Sequence, residues 1–267
     1  MTERERKIYD ELVLILKKTG NKEKHRGYHI IPERLNSRLE EESLKSRFVF
    51  YERERLSFIK SKLNIAGKKV LDIGCNTGYI LFDLLDSGAS DVTGYEGKLL
   101  CAEFLNKAIE LFGEEKRFHF YNRYYEFNKI NEVFDIIVLL NVLHHVGDDY
   151  GDKNLNIKYA KDKILEQLNS LADSSRNLVF QMGFNWQGNI NQCLFEYGTK
   201  GEMIQFVKEG IQGNWEIVSI GIPEKIAGKV EYKELNELNI KRDDSLGEFL
   251  NRPLFIMKSL KHSDGKY

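Results

Sequence analysis

The chain has 267 residues, of which 42% are hydrophobic and 30% charged. That is enough apolar material for one large α/β domain or a core with a small appendage, and enough charge for a soluble protein. Its formal net charge of -1 supplies no global attraction to nucleic acid or to an acidic membrane. Three cysteines, Cys75, Cys101 and Cys193, with neither an even count nor C-x-x-C spacing, argue against a disulfide framework or a structural zinc site.

The amino-terminal stretch Met1-Thr2-Glu3-Arg4-Glu5-Arg6-Lys7 lacks the apolar core of a signal peptide. The longest apolar run, Phe134 to Leu143, is interrupted by Asp135 and Asn141 and is too short to span a bilayer, so a cytoplasmic location away from membranes is expected. Residues 1 to 66 read as a helical segment. Ile8, Leu12, Ile15 and Leu16 recur at helical spacing, Asn21 to Lys24 breaks the pattern, and a second helical stretch is predicted from about Glu33 to Leu63. The segment holds 16 Lys and Arg against 11 Asp and Glu, a local excess of five positive charges. It reads either as a lid that offers cations to an anionic substrate or as a solvated helix face. The polar and aromatic break Arg26-Gly27-Tyr28-His29 makes Tyr28 and His29 candidate substrate contacts.

From residue 67 to 267 strands and amphipathic helices alternate, the pattern of a doubly wound parallel sheet. The first strand, Val70 to Ile73, carries Asp72 near its end and runs through Gly74-Cys75-Asn76-Thr77-Gly78 into the helical pattern that starts at Tyr79. Such a turn leaves backbone N–H groups pointing above the sheet edge and lets a ligand approach the main chain. The dinucleotide fingerprint fails, because Asn76 and Tyr79 stand where its second and last glycines belong, and no Lys-Ser/Thr pair follows as a P-loop needs. What remains, Asp72-x-Gly74-x-Asn76-x-Gly78 after an apolar strand, resembles motif I of the class I S-adenosylmethionine-dependent methyltransferases. That pattern usually has glycine where Asn76 stands, and asparagine tolerates the left-handed backbone better than most residues.

The second strand, Asp91 to Tyr95, is followed at once by Glu96, placed to accept hydrogen bonds from both hydroxyls of a ribose, which matches the acidic residue of that family. A helix with core residues from Leu99 to Phe112 leads to a third strand, Arg117 to Tyr121. The resemblance implies an adenine contact just beyond it, and Asn122 has the needed acceptor in its amide oxygen. The fourth strand, Phe134 to Leu140, is apolar throughout apart from Asp135, as a central strand covered on both faces would be. It ends in Asn141-Val142-Leu143-His144-His145. By resemblance this segment meets donor and substrate, with Asn141 on the methionine part of the donor and His145, or else His144, as the base. Asp148, Asp149 and Asp152 follow the histidines, but adjacent residues do not converge on one ion without a regular scaffold, so no metal is expected.

An amphipathic helix over 154 to 172 and a fifth strand, Asn177 to Met182, lead to the amide-rich loop Gly183 to Asn189. There Asn185 and Trp186 are candidate substrate contacts, Trp186 being equally readable as a core plug. A helix over 200 to 211 and two closing strands, Trp215 to Ile222 and Pro253 to Lys258, complete the pattern, with the charged stretch Lys225 to Asn251 read as surface structure. The expectation is a Rossmann-like, seven-stranded sheet of methyltransferase type with an antiparallel last strand, covering residues 67 to 267 behind the helical lid of residues 1 to 66. It would be an S-adenosyl-L-methionine-dependent O- or N-methyltransferase acting on a small polar or sugar-type acceptor. The alternatives are an RNA or tRNA methyltransferase and a non-catalytic S-adenosylmethionine-binding module.

Overall fold

A computed structural model describes residues 1–19, 30–45, 51–129 and 132–262. The chain divides into two compact units, the first made of Met1–Val49 and Ile65–Tyr125, the second of Phe50–Asn64 and Glu126–Tyr267.

In the first unit, β1 (Lys69–Ile73), β2 (Asp91–Tyr95) and β3 (Phe118–Tyr121) run parallel in the order β3-β2-β1, with Asp72 opposite Gly94 and Ile73 opposite Tyr95. Helices α4 (Tyr79–Asp86) and α5 (Leu99–Phe112) supply the crossovers, and Leu81, Phe82, Leu84, Phe104, Leu105 and Ala108 bury the faces that their spacing marks as apolar. Helix α1 (Glu3–Thr19) buries Ile8 and Leu12 and is joined to α5 by Arg4–Glu110 and Lys107–Glu11 ion pairs at 2.8 and 2.6 Å, surface contacts of small energetic weight. The second helical stretch is not continuous. A single turn, α2 (Glu33–Asn36), starts after Pro32 and gives out at Ser37, and an isolated 3₁₀ turn follows at Glu42–Leu44. Asparagine and serine side chains compete with the helical ladder for the backbone, which is why Asn36-Ser37 ends what charge and periodicity alone extend. Arg34 fastens the turn by donating to Asp86 and Glu114 at 2.5 and 2.7 Å while lying over the Phe82 and Phe112 rings.

The second unit has the strand order β4-β5-β8-β6-β7, formed by β4 (Phe134–Leu140), β5 (Ser175–Gln181), β8 (Leu254–Ser259), β6 (Trp215–Ile226) and β7 (Lys229–Glu234). The pair β4 and β5 is parallel, whereas β8 is antiparallel to both β5 and β6, as the expected closing pair requires. Helix α6 (Ile157–Ser170) starts where the Asn156 side chain accepts from the Lys158 and Tyr159 N–H groups, and Trp215 Nε1 donates to Leu168 O at 3.1 Å. Helix α3 (Glu52–Lys62) packs on β7, with Phe58 and Tyr232 ring centroids 6.0 Å apart.

Strand β7 makes eight strands among the described residues where seven are expected, and it lies in the stretch read as charged surface structure. Ala227 and Gly228, at φ 48° and 82°, form a two-residue loop with both centres left-handed, the geometry that matches strand twist in a hairpin. Beyond it Val230 and Tyr232 are buried between exposed Lys229, Glu231 and Lys233, a period of two that the charge count conceals. Val230 joins Phe249 and Leu250 in a small apolar cluster, so the strand has a core face of its own.

Helix α7 (Lys200–Gly210) opens with a reciprocal cap in which Thr199 Oγ1 accepts from Glu202 N at 3.2 Å and Glu202 Oε2 accepts from Thr199 N at 2.9 Å. Thr199→Ala removes one arm of that cap, and chemical denaturation should show a stability loss of about 1 kcal/mol with an unchanged m-value.

Candidate active site

The first unit presents a cradle at the carboxyl ends of β1 and β2. Gly74, Asn76 and Gly78 take φ of 79°, 51° and 79°, so Asn76 does adopt the left-handed backbone that glycine usually supplies there. Gly74 N and Cys75 N both donate to Tyr95 O, at 2.9 and 3.0 Å, which ties the turn to the tip of β2. A side chain at Gly78 would stand 2.6 Å from Leu105 Cδ1, so the position needs glycine for space as well as for its backbone. Thr77 Oγ1 donates to Ile30 O, fastening the amino-terminal segment beside the same turn.

Glu96 is buried, and its carboxylate spans the two turns. Oε2 accepts from Asn76 N at 3.1 Å and Oε1 accepts from Lys98 N at 2.8 Å. Asn122 stands beside it, donating through Nδ2 to Glu96 O at 2.9 Å, an orientation that keeps its amide oxygen as the acceptor end. Asp72 is buried at the end of β1. Burial pushes the Cys75 thiol well up, and the nearby Asp72 and Glu96 carboxylates add to the effect, so its thiolate is disfavoured.

The second unit carries the segment beyond β4. Asn141 turns the chain at φ 60°, its N–H donates to Gln181 O at 2.7 Å, and both ends of its side chain are engaged. Nδ2 donates to Gln181 Oε1 at 3.4 Å and Oδ1 accepts from Arg252 Nη1 at 2.8 Å. The two histidines occupy different surroundings. His144 is buried and its Nδ1 accepts from Gly183 N at 3.2 Å, which requires the neutral ring with its proton on Nε2. Burial holds the His144 pKa well below the ordinary histidine value, and the neighbouring His145 and Arg252 act in the same direction. His145 keeps 17% of its side chain exposed, with Nδ1 4.0 and 3.9 Å from carboxylate oxygens of Asp148 and Asp149, so a proton arriving on it meets two acidic groups.

Trp186 is packed inside the unit and donates through Nε1 to Val146 O at 2.7 Å, bracing the loop after β5 against the one after β4, while Asn185 remains partly exposed. Tyr28 and His29 lie outside the described residues. Among the described residues no three His, Cys, Asp or Glu side chains are grouped as a metal site would require, and no helix is long and apolar enough to cross a membrane. Sequence reasoning passes over Arg55, Gln181, Glu248 and Arg252, which converge behind Asn141. Arg252 donates to Glu248 at 2.5 Å and Gln181 Nε2 donates to Arg252 O at 3.0 Å.

Residues 43–191 match the family described as a methyltransferase domain. The chain is 34% identical over 101 residues to the tRNA U34 carboxymethyltransferase of Nautilia profundicola, covering 34% of this chain and 30% of that one. It is 30% identical over 89 residues to the enzyme of the same name from Helicobacter pylori strain G27, covering 33% of this chain and 34% of that one. The matches thus span about a third of the length of these curated relatives. A crystal structure of WbdD superposes with a TM-score of 0.52 at 15% identity over 78% of this chain and 40% of the other, a likeness of fold.

A buried histidine that stays neutral in the folded state and protonates in the unfolded one makes stability rise with pH. Below the ordinary histidine pKa of about 6.5 the unfolded chain binds the proton that His144 refuses, so stability should fall on acidification by up to ~1.4 kcal/mol per pH unit from this group. His144→Gln should flatten that dependence in denaturation curves taken from neutral to mildly acidic pH.

Proposed function

We propose that the chain, which belongs to the methyltransferase-domain family, is an S-adenosylmethionine-dependent methyltransferase that transfers the methyl group to an oxygen or nitrogen of a transfer-RNA nucleoside. The acceptor reading is carried by the relatives, whose name specifies U34 of tRNA. The excess of five positive charges within residues 1 to 66 supports it, since phosphate contacts are made by local cationic surfaces and not by net charge. In this reading the same segment is a lid, residues 67 to 267 are the catalytic domain, and Asn185 is a substrate contact. Net charge favours a second reading, because a chain at -1 suits a small polar or sugar-type acceptor.

The first unit fits the donor on the character of its own residues. Glu96, a buried carboxylate held at the tip of β2 by the Asn76 and Lys98 N–H groups, is the acceptor for the two ribose hydroxyls, and the amide oxygen of Asn122 suits the exocyclic amine of adenine. The left-handed turn at Gly74, Asn76 and Gly78 keeps side chains out of the way of the amino-acid tail, with Asp72 beneath it. The bound donor supplies an electrophilic methyl carbon on a positive sulfonium, so the protein has little covalent work to do and contributes chiefly orientation. In the second unit the Asn141 main chain contacts the methionine part, His145 accepts the proton of the attacking group, and Asp148 and Asp149 stabilise the resulting imidazolium. His144, fixed in one tautomer by Gly183, holds the ring of His145 in place, the two centroids being 4.3 Å apart.

Glu96→Ala removes a charged acceptor, and calorimetry with S-adenosylhomocysteine should show a loss of about tenfold or more in affinity, since a hydrogen bond to a charged group contributes about 1.5–3 kcal/mol. His145→Gln should leave that affinity unchanged and lower the turnover rate by about 10²- to 10⁴-fold. Incubation with methyl-labelled donor and a cell extract should place the label in ribonuclease-sensitive material of transfer-RNA size, and gel-shift affinity for that RNA should fall steeply with salt. Label confined to small molecules would replace the RNA reading with the second one.

A further inference from the structure

The loop after β5 holds one residue in a backbone conformation that its side chain disfavours, and that residue lies against the segment of the proposed base. Gln187 takes φ 55° and ψ 20°, and Gly188 beside it takes φ 66°. Asn189 N donates to Trp186 O at 2.9 Å, so the pair forms the centre of a two-residue turn with both members left-handed. Such turns take asparagine, aspartate or glycine at the first centre. Asn76, Asn128 and Asn141 meet the same demand elsewhere with a short side chain that can bond locally, an advantage the longer glutamine lacks.

The turn is braced on both sides. Trp186 N donates to Gln192 O and Leu194 N to Phe184 O, each at 2.8 Å, which pairs the two arms of the loop, and the buried Trp186 ring is tied to Val146 O. A side chain at Gly188 would stand 3.6 Å from His145 Cε1, and one at Gly147 would stand 3.4 Å from Gln187 Nε2 and 3.3 Å from Trp186 Cζ2. The turn thus lies against residues 145 to 147, and the absence of a side chain at 147 leaves room for it. Gln187 is half-buried, and among the described residues its carboxamide closes no hydrogen bond. A strained residue on a braced support, with an unused donor and acceptor beside a reacting group, has the marks of a binding residue and not of a turn former.

We propose that Gln187 is a specificity-determining contact to the methyl acceptor, its carboxamide pairing with an adjacent donor and acceptor on an amide-like edge. A carboxamide offers one group of each kind side by side and matches such an edge with two hydrogen bonds. The inference rests on the reading of His145 as the group that meets the acceptor. On the transfer-RNA reading the edge belongs to a nucleobase, whose rim presents donors and acceptors next to one another.

The test compares the wild type, Gln187→Gly and Gln187→Met in methyl transfer from labelled donor to transfer RNA. Gln187→Gly suits the left-handed turn and so supplies a folded variant, while Gln187→Met keeps the reach of the side chain without its hydrogen bonds. Both should lower kcat/KM for the RNA by about tenfold or more, chiefly through KM. Affinity for S-adenosylhomocysteine and the pH–rate profile should stay at wild-type values, and the denaturation midpoint of Gln187→Gly should not fall below that of the wild type. Wild-type kcat/KM in either variant reduces Gln187 to a turn residue and overturns the proposal. So does a loss confined to kcat with a shifted pH profile, because the substitutions then act through His145. If the wild type labels small molecules and no RNA, the transfer-RNA reading fails by itself. Transfer to that small-molecule fraction, lowered in both variants, then keeps Gln187 as the acceptor contact, and transfer undiminished in them overturns it.

Discussion

One carboxylate fixes the geometry on which the first unit depends. Glu96 is withdrawn from water, and the main-chain donors of Asn76 and Lys98 stabilise its charge there. The bond to Asn76 crosses 20 residues of sequence, so the glycine turn after β1 and the tip of β2 determine one another's position. Close packing beneath them adds to this. A side chain at Gly94 would stand 2.7 Å from Cys75 Sγ, so the second strand can approach the turn only because that residue is glycine. The result is a tightly tied arrangement, the condition a small polar ligand needs if it is not to lose affinity to the ordering of the protein.

The second unit uses a neutral group for the comparable task. Gln181, at the end of β5, takes hydrogen bonds from Arg55 and Asn141 and gives one to the main chain of Arg252. A carboxamide can do this because it offers acceptor and donor at once, whereas a carboxylate in its place could only accept. Here the strand ends are held by a buried polar network, and such networks fix geometry strongly when every member is matched.

Much of the fold is legible in the sequence. Asp72, the three turn positions and Glu96 lie within 25 residues, and their spacing reflects local backbone requirements that a sequence displays directly. The antiparallel closing strands were legible too, as apolar runs with no full crossover helix read between them. Strand β7 was hidden because its solvent face is all charge, and the left-handed Ala227 gives no sign that it can turn a hairpin. The end of α2 at Ser37 was missed because local side-chain competition weighs less in a periodicity count than it does in the folded chain. Arg55, Gln181 and Arg252 come from three distant stretches, and nothing in any one of them marks a polar cluster. The burial of Trp186 and its hydrogen bond to Val146 O are features that only folding reveals.

The position of the indole rings gives the molecule an unplanned optical asymmetry. The chain's two tryptophans, Trp186 and Trp215, both lie in the second unit, each enclosed and each donating its ring N–H to a carbonyl. Light emitted by them therefore registers loosening of that unit alone. The cradle around Glu96 is silent at those wavelengths, and its melting shows only in far-ultraviolet dichroism or in tyrosine signals. A mismatch between those two readings would be the direct signature of one half of the chain opening before the other.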